Sequence, residues 1–317
     1  MELELRHLRA VCAVADAGSI TKAAVTLGTT QPALTAQLQR IERGLGGQLF
    51  QRQAYGVRPT PFGQFFLYRA RIVLSAADDL RRGALSWHAE AARPPLRLGG
   101  IAGPVVIGLA GKLTRELHAT EVQVRTEPAP RLLVDLVASG QLDLAVVVDY
   151  PSWETCPPPG VQLCELVSEP VFVALPVSHP QAGQPEINLG SLAADTWVLT
   201  PPDGAGWPES FEAACQRAGF EPRVGHRIAE LRPTHELIAT GKAVSPCQAT
   251  FEPSAGIVVR PLAGDPLWMR HLLAWQTGST LAARSADLVA WALAAYQADA
   301  QRSAALCAWR KLRTPGD

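Results

Sequence analysis

The stretch that decides the fold runs from residue 19 to residue 61 and reads SITKAAVTLGTTQPALTAQLQRIERGLGGQLFQRQAYGVRPTP. Its first half holds two amphipathic patterns separated by Gly28-Thr29, which predicts two helices joined by a tight turn. Ser19 and Thr30 precede these patterns, and both residue types favour helix N-caps. Pro32 suits the first turn of a helix. The stretch therefore predicts a helix-turn-helix unit.

A short hairpin is predicted after the second of these helices. Leu49-Phe50 begin a strand, Ala54-Tyr55-Gly56 form a turn, and Val57-Arg58 return. A helix with an apolar stripe on one face and a polar N-terminus is suited to the major groove of DNA. Arginines in the hairpin can follow the DNA backbone or enter the minor groove. We therefore expect residues 1–61 to form a winged helix-turn-helix DNA-binding domain.

Residues 62–92 predict a long helix and a hinge. The helix spans about Phe62 to Ala91, and the hinge is Ala91-Ala92-Arg93-Pro94-Pro95. An apolar seam with alternating steps of four and three residues is typical of a coiled coil, so we expect a helix that joins two subunits. The alternative is that it packs on its own domain. The seam consists of Phe66, Ala70, Val73, Ala77, Leu80, Ala84 and Trp87.

Residues 93–317 begin with alternating strand and helix patterns over about 96–148, which predict βαβ units and a parallel sheet. We expect two α/β lobes, with the chain crossing near residues 165 and 265 and a ligand bound in the cleft between them. Lobe I comprises about 93–165 and 266–317, and lobe II about 166–265. The predicted strands are 96–100, 122–126, 143–148, 171–175, 197–199, 241–246 and 268–275, and the predicted helices are 104–117, 131–139, 210–218, 235–240 and 285–312.

Charge and cysteine usage narrow the class of protein. The chain of 317 residues has a formal net charge of zero, divided into +4 for residues 1–92 and −4 for residues 93–317. The basic excess therefore accompanies the predicted DNA-binding unit. The chain contains no apolar run of membrane-spanning length, and the opening MELELRHLRAVC does not read as a signal peptide. Six scattered cysteines without a CxxC pair favour a reduced, cytoplasmic protein.

Catalytic and cofactor motifs do not occur at the required positions. No GxSxG, GxxxxGK[ST] or GxGxxG lies between a predicted strand and helix, which argues against a hydrolase, a P-loop or a dinucleotide site. The seven histidines show neither HExxH nor i, i+4 pairing, so we expect no metal site. We accordingly expect neither an enzyme nor a cofactor.

Many residues occur at fixed spacings in the N-terminal segment, with fewer in the C-terminal half. They are Leu8-x-x-Val11, Gly18-Ser19-Ile20-Thr21-x-Ala23-Ala24-x-x-Leu27, Thr30-Gln31-Pro32-Ala33-Leu34-Thr35, Ile41-Glu42-x-x-Leu45-Gly46-x-x-Leu49-Phe50-x-Arg52 and Thr60-Pro61-x-Gly63, then Leu142-Asp143-Leu144-Ala145 and Ser178-His179-Pro180. The first five resemble the LysR-type transcriptional regulators closely, and the last two resemble them more weakly. The family implies a winged helix-turn-helix, a linker helix that pairs subunits, and a two-lobed effector domain like a type 2 periplasmic binding protein. It also implies homotetramers or dimers, operator DNA as partner, and a small-molecule effector. The chain differs from the family in having Thr35-Ala36 where Ser-Arg is frequent, and no hydroxyl in Gly100–Gly103.

The candidate DNA-binding residues lie on the second helix and the wing. The start of the helix favours phosphate, and a glutamine there can pair with adenine N6 and N7. The alternatives are that Thr30 is only a helix cap and that the arginines are solvated surface charges. The candidates are Thr30, Gln31, Pro32, Thr35, Gln37, Arg40, Arg52 and Arg58.

The candidate effector-binding residues lie near predicted strand ends. Free N–H groups between a strand and a helix can hold a carboxylate, whereas the alternative is a turn that merely needs glycine. The remaining positions are equally compatible with simple packing. The candidates are Gly100, Ile101, Ala102, Gly103, Pro128, Ala129, Val148, Thr200, Trp207 and Ser245.

Three hypotheses follow for the function. The first is a DNA-binding transcription regulator that senses a small molecule. The second is a solute-binding protein or enzyme with an additional N-terminal helical cap, which predicts no salt-dependent DNA binding. The third is a regulator whose cleft binds no ligand.

Overall fold

The structure is a computed structural model that describes residues 3–53, 56–86, 95–101, 103–117 and 121–313. The chain divides into two compact units, Met1–Ala92 and Arg93–Asp317. No helix within the described ranges is both long enough and apolar enough to cross a membrane.

The first unit contains four helices and one hairpin within its described residues. The helix ends match local signals in the sequence. Gly18 ends the first helix in the left-handed conformation with φ of 58°, Ser19 Oγ accepts a hydrogen bond from the Lys22 N–H, and Thr30 Oγ1 accepts one from the Ala33 N–H. The helix-turn-helix prediction is thus confirmed. The elements are α1 (Leu5–Ala17), α2 (Ile20–Thr26), α3 (Gln31–Leu45), β1 (Phe50–Gln53), β2 (Gly56–Pro59) and α4 (Pro61–Ser86).

An apolar stripe on α3 holds the first unit together. Leu34, Leu38 and Ile41 are buried against α1, α2 and Leu49. Burial of a leucine or isoleucine side chain stabilises a fold by roughly 1.5–3 kcal/mol. The stripe therefore fixes which face of α3 points inward and leaves its polar face outward.

The long helix α4 is buried near its start and exposed farther along. Phe66 and Ala70 are buried in the core of the same unit, so its first turns pack on their own domain. Further along, Val73 is 47% and Leu80 is 76% exposed. Trp87 and most of the predicted hinge, like the wing turn Ala54-Tyr55, lie outside the described residues.

The wing approaches α4 at a glycine. A Cβ atom at Gly63 would lie 1.9 Å from the Leu49 carbonyl oxygen, while the Gly63 N–H donates to Thr60 Oγ1 at 2.9 Å. The obstacle is backbone rather than a flexible side chain, so relief requires movement of the wing. We expect Gly63→Ala to lower the free energy of unfolding by about 3 kcal/mol or more. Denaturant unfolding of the purified variant measures this, with Gly111→Ala on a helix of the second unit as control. An unchanged unfolding midpoint would contradict the packing argument.

The second unit begins with the expected βαβ units. Its first strand pairs in parallel with the next two strands, and each crossover is a helix. This part of the prediction is confirmed. The elements are β3 (Leu96–Gly100), α5 (Pro104–Glu116), β4 (Val122–Thr126), α6 (Pro130–Ala138) and β5 (Leu144–Asp149).

Beyond these βαβ units the sheet contains antiparallel strands as well. Strand β11 (Trp268–Gln276) runs antiparallel to β5 and also to β6 (Val161–Pro176). Its residues from His271 to Trp275 are buried, and such a strand shows the continuous apolar run usual in parallel sheets. Hydrophobicity reports burial and not strand direction, so the sequence pattern could not distinguish the two.

Strand β6 connects the two lobes. The residues from Val161 to Pro170 pair with β11, and the residues from Val171 to Pro176 pair with β9 (Ser245–Gln248) and β10 (Ile257–Arg260). The sequence predicted only the 171–175 part. The other elements of the second lobe are β7 (Thr196–Leu199), α7 (Glu209–Arg217), β8 (Arg223–Arg227) and α8 (Leu231–Ala239).

Several predicted bounds require correction. The strand predicted at 241–246 begins only at Ser245, the helix predicted at 235–240 begins at Leu231, and β8 and β10 were missed. The single terminal helix is two helices, α9 (Ser285–Arg302) and α10 (Ala304–Arg313). Ser303 causes the break, because its hydroxyl donates to the Ala249 carbonyl and accepts from the Leu306 N–H.

Candidate nucleic-acid interface and effector site

The first turn of α3 presents ordered polar groups. Gln31 Nε2 donates to Thr35 Oγ1 at 3.1 Å, and Thr35 Oγ1 donates to the Gln31 carbonyl at 2.8 Å. Gln31 and Pro32 are exposed and Thr35 is half-buried. These bonds hold the Gln31 amide in one orientation, with its Oε1 directed away from Thr35. An oxygen in that position accepts from a donor such as adenine N6.

The other DNA-binding candidates lie farther along α3 and on the wing. Gln37 is half-buried and Arg40 is exposed, and Arg40 is about 7.5 Å along the axis from Thr35. In the hairpin, Arg52 is opposite Val57, and the exposed Arg58 is opposite Gln51. The structure thus brings Thr30, Gln31, Pro32 and Thr35 together, and places Arg40, Arg52 and Arg58 apart from them.

Glu42 positions the wing and was not among the candidate residues. Its Oε1 accepts from the backbone N–H groups of Leu49 at 2.7 Å and Phe50 at 3.2 Å. A carboxylate that accepts two N–H bonds is a strong local anchor. The sequence signal was the Ile41-Glu42 pair of the matching run, whose role is apparent only when the wing folds back onto α3.

The Gly100–Gly103 turn carries packing constraints. A Cβ atom at Gly100 would lie 2.4 Å from Val106 Cγ2, so glycine permits α5 to pack closely on β3. Gly103 precedes α5 without a side-chain cap, and a Cβ atom there would lie 3.9 Å from Gln248 Oε1. Ala102 lies outside the described residues. The Gly100 geometry supports the alternative that this turn requires glycine for packing.

Three effector candidates meet where the lobes join. Ile101, Val148 and Trp207 belong to one apolar cluster with the core of the second lobe. The centroid of the Trp207 ring lies 5.5 Å from that of Tyr150 and 5.7 Å from that of Phe211, with the rings tilted relative to each other. Residues at or beyond the carboxyl ends of β3, β5 and β7 therefore share a single contact region.

The remaining effector candidates do not join this cluster. Ser245 is buried, and its hydroxyl donates to the Val198 carbonyl at 3.0 Å. Thr200 and Pro128 are exposed, and Ala129 is half-buried at the start of α6. The Ser245 hydroxyl is therefore engaged within its own lobe.

An acidic group missed in the sequence lies in the same contact region. Asp203 Oδ1 accepts from the backbone N–H groups of Ala205 at 2.7 Å and Trp207 at 3.0 Å. Burial raises the pKa of Asp203 to about 6, against the opposing effect of these hydrogen bonds. Because Asp203-Gly204 follows two prolines, the sequence indicates an ordinary turn, and nothing local reveals the burial.

The raised pKa predicts a pH-dependent stability. The folded state holds the Asp203 proton more tightly than the unfolded state, so this group's contribution falls as pH rises from about 4 to about 6. We expect Asp203→Asn, which retains the acceptor oxygen, to stabilise the protein at pH 7.5 by on the order of 2 kcal/mol. The difference should vanish near pH 4. Urea unfolding at both pH values measures it, and destabilisation at pH 7.5 would contradict the burial argument.

Each of the two units matches a known protein family, and known regulators match nearly the whole chain. Residues 5–64 match the family described as "Bacterial regulatory helix-turn-helix protein, lysR family", and residues 89–297 match "LysR substrate binding domain". The small neutral protease regulatory protein of Streptomyces coelicolor is 39% identical over 98% of this chain and 92% of its own length. The regulator ShiR of Corynebacterium glutamicum is 30% identical over 90% of this chain and 96% of its own.

Solved structures share the fold. A cysteine mutant of Corynebacterium glutamicum OxyR aligns with a TM-score of 0.55 at 22% identity, covering 100% of this chain and 97% of that one. The LysR family regulator CbnR, complexed with its target DNA, aligns with a TM-score of 0.50 at 22% identity, covering 92% of this chain and 100% of that one.

A winged helix-turn-helix joined to a two-lobed α/β unit defines a ligand-responsive DNA-binding regulator. The chain belongs to the LysR family of transcriptional regulators. It is therefore a DNA-binding transcription regulator with an effector-binding domain, and its family consists of regulators rather than enzymes.

Proposed function

We propose that the first turn of α3 reads operator bases while the wing contacts the DNA backbone. The observation that carries this proposal is the ordered Gln31–Thr35 pair at the exposed, capped start of α3. Thr30, Pro32 and Gln37 would fit this helix into the major groove. Arg40 would contact phosphate, and Arg52 and Arg58 would contact phosphate or the minor groove.

Each segment of the chain has its own role in this proposal, including the pairing of subunits. Residues 1–61 would bind DNA, 62–92 would pair subunits, and 93–317 would bind effector. The exposed Val73 and Leu80 on α4 support pairing through this helix, because apolar seams bury against a partner. Two copies would place recognition helices about one DNA turn apart, in a dimer or a tetramer that acts in the cytoplasm.

Effector control would operate through the junction of the lobes. Ile101, Val148 and Trp207 already form one cluster there, so a ligand in this region alters the contact of one lobe with the other. Gly103, Pro128, Ala129 and Thr200 would border the ligand. A ligand shifts the regulator only by its different affinity for two arrangements.

Footprinting on the DNA upstream of the regulator's own coding sequence tests the proposed function. We expect protection of two half-sites about one helical turn apart, with affinity that falls steeply as salt rises. A random duplex of equal length is the control. Equal affinity for both duplexes would contradict sequence-specific reading, and absence of binding at low salt would contradict DNA binding by this unit.

A further inference from the structure

The junction of the lobes contains a buried polar group without a hydrogen-bond partner. Tyr150 is 5% and Trp207 is 7% exposed. The Trp207 indole N–H is buried and has no hydrogen-bond partner. Buried polar groups are normally paired. The unpaired indole N–H of Trp207, on a ring whose centroid lies 5.5 Å from that of Tyr150, therefore indicates a place where a ligand completes the bonding.

The charge around these groups is acidic. Asp203 faces Tyr150 and, from α7, Glu209. Beside Tyr150 lies Asp149, whose carboxylate accepts two bonds from Arg270 at 2.8 Å. Arg270 also contacts Glu165 at 3.5 Å and lies near Glu154. The positive charge of Arg270 is therefore already engaged.

The other basic group near α7 is only partly paired. Arg227 contacts Glu212 through Nη2 at 3.5 Å, while its Nη1 is buried without a hydrogen-bond partner. The charged neighbour that acts on Asp203 itself is Glu209, so the charge at this carboxylate is negative above its pKa of about 6. An anionic ligand placed beside Asp203 would meet like charge in a poorly solvated region, which is costly.

An exposed aromatic ring, that of Trp153, lies beside the loop that carries Asp203. Trp153 packs directly on Gly206, where a Cβ atom would lie 2.4 Å from the indole Cγ. Trp153 remains 49% exposed, so its ring is accessible beside the Asp203 loop. Tryptophan rings attract cations through their negative faces.

From this geometry we propose that the effector of this regulator is an organic cation, with its positive group at Asp203 and its apolar part against Trp153, Tyr150 and Trp207. This inference rests on the proposed effector function of the lobe junction and specifies its ligand class. The Trp207 indole N–H would donate to an acceptor atom of the same ligand. Retention of a buried acid that lowers stability at neutral pH is typical of a functional site.

Two probes of similar shape and opposite charge test the proposal. Benzylamine and benzoate are titrated separately into the full-length protein, and tryptophan fluorescence and calorimetry record binding. At pH 7.5 we expect benzylamine to bind at least about tenfold more tightly than benzoate. At pH 5, where Asp203 is protonated, we expect benzylamine binding to weaken by about tenfold.

A pair of variants assigns the effect to Asp203. Asp203→Asn should reduce benzylamine affinity by about tenfold and remove its pH dependence between 5 and 7.5. Glu221→Gln, which removes an exposed acid elsewhere in the second lobe, should change neither. Tighter binding of benzoate, no binding of either probe, or unchanged affinity in Asp203→Asn would overturn the proposal.

Footprinting of the same samples distinguishes failure of the cationic-ligand proposal from failure of the proposed function. Intact operator protection together with failure of the benzylamine prediction would reject the cationic ligand alone. Loss of operator binding by the unmodified protein would instead reject the proposed function.

Discussion

Leu80→Asp should abolish pairing through α4 and weaken operator binding by roughly 100-fold. Leu80 is 76% exposed on the described helix and belongs to the predicted seam. An aspartate buried in an apolar seam would lack a partner, and a buried unpaired charge is costly. An unpaired subunit binds only one half-site. It therefore loses the affinity gained by binding two half-sites at once, which is a factor of roughly 10²–10⁴. Analytical ultracentrifugation and gel-shift titration measure the two effects.

A matched variant controls for charge on the helix. Gln64→Asp introduces the same side chain at an exposed position on the opposite face of α4, and should leave assembly and operator affinity nearly unchanged. If both variants retain the mass and affinity of the unmodified protein, α4 does not pair subunits. Equal losses in both would indicate a general effect of added charge rather than a specific seam.

Gln31→Ala should weaken operator binding by roughly 5- to 150-fold while affecting a random duplex little. A bidentate pair with a base contributes about 1–3 kcal/mol to discrimination, whereas non-specific binding depends on phosphate contacts. The Gln31–Thr35 hydrogen bonds hold the amide in place before DNA arrives. Competition titration on both duplexes at one salt concentration measures the ratio.

The control for this variant makes the same change elsewhere. Gln123 is exposed on β4 in the second unit, and Gln123→Ala should bind both duplexes like the unmodified protein. Equal losses on operator and random duplex in Gln31→Ala would show that Gln31 supports the helix or contacts phosphate, and does not read a base.

The structure of the DNA-binding unit was the part most fully predictable from the sequence. Gly18, Ser19 and Thr30 act within one helical turn of their own positions, so their signals are local. The spacing of Leu34, Leu38 and Ile41 similarly predicted the buried face of α3. Glu42 was not identified, because its partners Leu49 and Phe50 are reached only when the wing folds back.

The structure of the effector unit was less predictable, because the contacts that determine it join residues far apart along the chain. The antiparallel direction of β11 depends on pairing with β5 and β6, and an apolar run has the same composition in either direction. Among the effector candidates, Ile101, Val148 and Trp207 meet, whereas Ser245 is engaged with Val198. Strand-end position alone does not specify which lobe a side chain faces.

The sequence by itself determined the helix-turn-helix, the wing, the family and the alternation of strands and helices, since caps, turns and apolar spacing act over a few residues. Only the tertiary structure brought Asp203 and Trp207 of one lobe against Tyr150 of the other. Burial and unpaired hydrogen-bonding groups are properties of that surrounding packing, and they exist only after residues more than fifty positions apart along the chain have come together.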